Sequence, residues 1–296
     1  MTTWLALAIL AQLLSALTVF IDKYVLVSPK GVSHPSAFAF YTAVLSGCVL
    51  IMLPFGIVSW PTFEVAFLSL SAALLYITSL LFLYRALSKL SVTDVIPITA
   101  AAGAIMTGLL AAVFLSADLP ASSLPAFILL TAGTFLIYCF CFPWPLLLMT
   151  IASGALVGVS TFLVKIVFES TNFIDALFWP LIMNAVVALV ILAPARWHAI
   201  RETFRESSRG AKGMVLASKA LGGIAFLLTF VALALGSVTI VNAMGGLQLV
   251  FLFLLVPLFA HRLPHIFKAD LRVDRFLLKI AGAFCIVMGL GALFLF

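Results

Sequence analysis

Lys219 stands alone as a charge inside the apolar run GMVLASKALGGIAFLLTF, and no other residue is better placed to do chemistry. It lies seven residues past Lys212, hence about 10 Å further along a helix rising ~1.5 Å per residue. An ammonium at the centre of a bilayer costs roughly 3 kcal/mol, so such a group normally faces a cavity or a partner. Gly222 and Gly223 follow on nearly the same face and leave room beside the amine. Two uses of the amine stand side by side. In one, it binds an anionic group of a solute or changes protonation during transport. In the other, it is half of a structural ion pair, with Asp94 the nearest acidic candidate. Asp94 itself lies one turn into a helix starting Ser91-Val92-Thr93. A carboxylate there favours the helix dipole with no further role; if it titrates instead, transport depends steeply on pH.

Gln12, Ser15, Thr18 and Asp22 form a second polar group. At ~100° per residue they occupy about a third of a helical circumference. Lipid cannot satisfy them, so the stripe faces the bundle interior, as a solute path or as interhelical hydrogen bonding. Asp22-Lys23 ends this run, where snorkelling to the surface is the simple reading. Tyr76, Asn184, Asn242 and Gln248 complete the inventory, each able to bond a solute or a neighbouring backbone. Pro97 interrupts one run, and Thr99-Ala100-Ala101-Ala102-Gly103 after it allows another helix close. Asn242, Gly245, Gly246 and Gln248 occupy the matching region of a later run. Interrupted or closely packed helices at equivalent places point to a substrate path. Hydrolytic chemistry finds little support. Gly158-Val159-Ser160 offers a serine, but His34, His198, His261 and His265 all map to loops or run ends. No metal site or cofactor is expected, and Cys139-Phe140-Cys141 reads as two small fillers at a helix end.

The elements that must position these residues follow from composition. Of 296 residues 65% are apolar and only 9% charged, against roughly 25% charged in soluble domains. With about 20 apolar residues per crossing, the chain divides into ten runs: 3–22, 37–57, 63–84, 92–115, 121–141, 145–166, 174–194, 214–235, 238–260 and 276–296. The expected fold is an all-α integral membrane protein. No soluble module remains to hydrolyse a nucleotide, and the runs lack the alternation of barrel strands. MTTWLALAIL has no basic leader region, so the first run is expected to stay.

Fourteen of the 16 basic residues border odd-numbered loops, the exceptions being Lys165 and Lys219. The positive-inside rule then puts odd loops in the cytoplasm and both termini outside. The longest polar segment, Ala195 to Gly213, spaces Trp197, Ile200 and Phe204 helically among four arginines. It reads as a short amphipathic helix on an anionic leaflet rather than a nucleic-acid site.

The chain also repeats itself. Tyr84 to Pro120 has the same grammar as Phe230 to Pro264: Ala86-Leu87 answers Ala232-Leu233, and Ser91-Val92-Thr93 answers Ser237-Val238-Thr239. Asp118-Leu119-Pro120 answers Arg262-Leu263-Pro264 as an opposite-face loop marker. Thr18-Val19-Phe20-Ile21-Asp22-Lys23 aligns with Ser160-Thr161-Phe162-Leu163-Val164-Lys165. The offsets, 146 and 142, are close enough to indicate one duplication, of residues 1–141 into 142–296. Five helices is an odd number, so the second copy must be inverted.

The doubled pattern of Ala-Leu, a short link, Ser-Val-Thr, an apolar helix and a Leu-Pro exit resembles the drug/metabolite transporter superfamily, in its EamA-type ten-helix members. Lys23 and Lys165, which end the first and sixth runs, carry the same likeness. Leu14-Ser15-Ala16-Leu17 stands where that family has a glycine-rich, tryptophan-containing start, and Asp118 and Arg262 replace its usual glutamate. The resemblance implies a secondary transporter in the cytoplasmic membrane, with a central cavity between inverted halves and alternating access. Its substrates span amino acids, other metabolites, drugs, sugar-phosphates and nucleotide sugars. The competing expectation is a flippase for a lipid-linked carrier, or an assembly subunit, on the same fold.

Overall fold

The computed structural model describes residues 3–28, 31–32, 34–114, 143–235, 246–260 and 273–295, with isolated residues between 125 and 136. Among the described residues every regular element is helical. In order these are α1 (Thr3–Val27), α2 (Pro35–Leu45, continued by a 3-10 helix Ser46–Phe55), α3 (Phe63–Lys89), α4 (Val92–Phe114) and α5 (Trp144–Ser170). Then come α6 (Phe173–Val187, running through a π-turn at Ala188–Leu192 to Ala195), α7 (Trp197–Glu206), α8 (Arg209–Leu235), α9 (Leu247–Ala260) and α10 (Val273–Leu295). Seven of the described helices are long and apolar enough to cross a membrane: α1, α2 with its extension, α3, α4, α5, α6 with its extension, and α8. Shorter apolar stretches lie in α9 and α10. The chain is an all-α, multi-pass membrane protein. Most of the expected run 121–141 falls outside the described residues, as do Ser237-Val238-Thr239, Asn242, Gly245, Cys139, Cys141, Asp118 and Arg262.

Connections gather at two ends. At one, Ser207 Oγ donates to the Gly31 carbonyl at 3.0 Å, and His34 lies 3.7 Å from Glu202. Lys23 Nζ donates there to the carbonyls of Leu87 (2.5 Å) and Leu90 (2.7 Å), the open end of α3. At the other, Asn172 caps α6 by accepting from the Asp175 N–H at 3.0 Å. The Asp175 carboxylate accepts from the Ser59 N–H at 2.8 Å, tying the turn after α2 to the turn before α6. The turns after α1, α3 and α6 therefore share an end, and that end carries three of the basic loops, the first, third and seventh. α7 lies there with Ile200 and Thr203 buried and Arg201, Phe204 and Arg205 exposed.

Hydrocarbon drives no helix association by itself, so interfaces depend on small residues and polar bonds. Alanine supplies much of the buried surface, at 8, 11, 16, 37, 39, 43, 72 and 73 among others, while Ile51, Phe55, Trp60 and Phe63 lie outermost. α1 packs along α8 and α9, α3 along α5 and α6, and α4 along α5. Ser79 Oγ and Ser153 Oγ each donate to the other's carbonyl, at 2.8 and 3.0 Å, clasping α3 to α5. Gly154 and Gly158 let α4 come closer still: a methyl on Gly158 would fall 2.6 Å from the Gly103 carbonyl oxygen, and one on Gly154 would meet that of Thr99. The small residues after Pro97 thus serve α5. α9 also reaches α4, but through Leu249 beside Ile98 and Ala101.

Two expectations need correction. α1 does not end at Asp22-Lys23 but continues to Val27. Both residues are 5% exposed, so neither snorkels. Lys165, the expected counterpart of Lys23, behaves differently: its side chain is 52% exposed and pairs with Glu169 at 3.8 Å. Lys23 is held by protein carbonyls, whereas Lys165 reaches the surface.

Candidate functional site

Four helices deliver one polar cluster into an otherwise apolar core. α1 brings Asp22, α8 brings Ser218 and Lys219, α3 brings Tyr84, and α2 brings Phe38 and Thr42. The α1–α8 crossing is close enough for this because its residues are small. Thr18 Oγ1 lies 3.4 Å from the Ser218 carbonyl, and a methyl on Gly222 would sit 3.5 Å from Thr18 Cγ2. One turn along, Lys219 Nζ donates to Asp22 Oδ2 at 2.6 Å. Ser218 Oγ donates to Asp22 Oδ1, so both carboxylate oxygens are engaged. The Tyr84 hydroxyl accepts from Lys219 at 3.2 Å and donates to Asp22 Oδ2 at 3.3 Å. Thr42 Oγ1 is 3.1 Å from the same hydroxyl.

The two charged side chains are only 13% and 7% exposed, Lys219 and Asp22 respectively. The amine sits 4.8 Å from the Phe38 ring centroid and 5.6 Å from that of Tyr84, within range of cation–π attraction. Phe38 and Tyr84 meet edge to face at 4.6 Å. The cluster therefore carries one positive and one negative charge, walled by aromatic rings. Removing either partner would strand the other, which costs about 3–5 kcal/mol in a buried pair. Such a pair can be opened without that loss when a solute supplies the replacement charge.

The partner of Lys219 is thus Asp22, not Asp94. Asp94 lies buried in the first turn of α4, its N–H 3.3 Å from the Ser91 carbonyl. That placement suits the helix-dipole role. Of the other candidates, Tyr76 lies on α3 two turns before Tyr84 and packs against the same core. Gln12 is buried on α1 more than two turns from Asp22, Asn184 is buried in α6, and Gln248 is partly buried at the start of α9. None of these three bonds to the cluster. Gly222 packs on α1, whereas Gly223 has open space where a methyl would go. A methyl on Gly246 would fall 3.0 Å from Val287 of α10. Pro97 is buried in α4.

Tyr84, Thr42, Ser218 and Phe38 are the cluster members that sequence reasoning missed. One signal was available. Asp22 and Lys219 are opposite charges in two apolar runs, and the depth argument that put Lys219 near the basic end applies equally to Asp22. The serine considered as a nucleophile, Ser160, donates to the Ala72 carbonyl at 2.9 Å and clasps α5 to α3. No protein-family model matches the chain, and no curated protein is significantly similar to it.

Proposed function

We propose that this protein is a secondary transporter of the EamA-type drug/metabolite class. It moves a small metabolite or drug-like solute across the cytoplasmic membrane by alternating access. Residues 1–141 and 142–296 are the two inverted five-helix halves, and the end carrying the basic loops faces the cytoplasm.

The repeat is supported by contacts as well as by sequence. Thr18 and Ser160, aligned with each other, place their hydroxyls on the carbonyls of Ser218 and Ala72. Those carbonyls lie 146 residues apart, the offset that relates Ser91 to Ser237. Exchanging each run for the one five places on turns the α1–α8 packing into the α5–α3 packing, and α4–α5 into α9–α1.

One observation carries the functional reading: the charged pair breaks this symmetry. The same offsets take Asp22 to Val164 and Lys219 to Ala73. An equivalent crossing therefore packs with no charge at all, so the fold does not need the ion pair. A buried pair that architecture does not require, placed where α1 and α8 must separate for access to alternate, is a site for a solute or a proton. A carboxylate- or phosphate-bearing solute fits best, because it can take the place of Asp22 beside Lys219. Flux in proteoliposomes tests this: the Asp22→Asn/Lys219→Met double variant, which strands neither charge, should fold and abolish transport, and a folded double variant with full flux would overturn the proposal.

A second reading, a lipid-carrier flippase on the same fold, is favoured by an apolar crevice between α2 and α8. Leaflet exchange of a labelled lipid in the same vesicles, with no solute flux, would establish it instead.

A further inference from the structure

The crevice lies where α2 and α8 barely touch, although α3 and α6 pack closely along their lengths. It encloses about 220 Å³ and is lined by Tyr41 and Val44 of α2, Phe204 of α7, and Lys212, Val215 and Leu216 of α8, among others. Phe204 and Leu216 are 59% and 58% exposed, so one side of the crevice is open. Among the described residues Lys212 is the only charged side chain in the lining. Its Nζ rests 3.9 Å above the Phe204 ring, which holds the amine at the rim. The surrounding segment, Arg196 to Lys212, contains five basic residues against Glu202 and Glu206. Ser207 anchors the end of α7 to the α1–α2 turn through its bond to Gly31.

We propose that the crevice holds one acyl chain of a resident anionic phospholipid, with the lipid phosphate on Lys212. The lining suits hydrocarbon and offers almost nothing to a polar solute. The single ammonium at the rim sits where α7 lies at the basic end, the depth at which a headgroup emerges. A lipid in this position would fill the gap between α2 and α8 and fasten α7 to the bundle. The site is separate from the Asp22–Lys219 cluster, so it stands or falls independently of the transport proposal.

Native mass spectrometry of the full chain in neutral detergent tests it, by titration with phosphatidylglycerol and phosphatidylcholine of identical acyl chains. Phosphatidylglycerol should bind more tightly. Lys212→Gln should weaken it about fivefold, the worth of one lysine near a charged surface, and weaken phosphatidylcholine less, because choline offsets the charge of its phosphate. Val215→Trp, or Val44→Trp if the first does not fold, should displace both lipids by filling the crevice. Arg205→Gln, on α7 next to Phe204 but outside the lining, should change little. Equal binding of the two lipids by the wild type would overturn the proposal. So would an Arg205→Gln loss as large as that of Lys212→Gln, since that marks diffuse surface attraction. Full displacement of the lipid by glycerol 3-phosphate would overturn it too, because the chain would then contribute nothing.

Discussion

At the scale of single residues, Asp22 and Lys219 give up hydration and regain it from each other, from Ser218 and from Tyr84. The account predicts non-additive losses. Asp22→Asn or Lys219→Met alone should destabilise the protein by about 3–5 kcal/mol. The double variant should recover most of that, because neither charge is then left without a partner. Reversible unfolding in mixed micelles measures it, and simple addition of the two single losses would contradict the pairing. Lys219 was legible in the sequence because a lone lysine in an apolar run is unusual. Its partner carried a weaker signal, an opposite charge at similar depth in another apolar run. Asp22 lies next to Lys23 near the end of an apolar run, and nothing local reveals that α1 continues to Val27 and carries both inside. Tyr84 was hidden for a related reason: it is the last residue of the run 63–84 and precedes Arg85, so it reads as a run end, whereas α3 runs on to Lys89.

Helix–helix contacts explain which small residues matter. Gly158 faces the Gly103 carbonyl so closely that an added methyl must move backbone. Gly158→Ala should therefore cost about 1–3 kcal/mol, in the range of overpacked sites. Gly223 faces open space, so Gly223→Ala should be neutral or gain up to about 1 kcal/mol from helix propensity. Thermal midpoints of the two variants compare them directly; equal effects would mean that α4 and α5 are further apart than described. The sequence announced close packing after Pro97, since Thr99 to Ala104 is almost wholly small. It could not name the partner, because alanine and glycine permit approach by any helix. The neighbour proved to be α5, through Gly154 and Gly158, four residues apart on one face.

For the whole molecule, alternating charge had already implied which turns belong together, and the bonds from Ser207 to Gly31 and from Ser59 to Asp175 agree with that grouping. The sidedness is open to direct measurement. In a background without cysteines, Lys89→Cys and Glu206→Cys should both be shielded from an impermeant thiol reagent in intact cells, and Trp60→Cys should be labelled. Opposite behaviour of positions 89 and 206 would break the arrangement of turns. In the proposed repeat the two halves share Ser-Val-Thr and a lysine late in α1 and α5, and the charged pair is a feature that they do not share; the transport proposal rests on that difference. The most direct test is a thermal-shift screen of the purified protein with metabolites, lipids and cations, run in parallel on the Asp22→Asn/Lys219→Met double variant. A bound solute raises the unfolding midpoint by mass action. The account predicts a solute, anionic for preference, that stabilises the wild type and leaves the double variant unmoved. A solute that stabilises both equally would place the binding site elsewhere and contradict the role given to the pair.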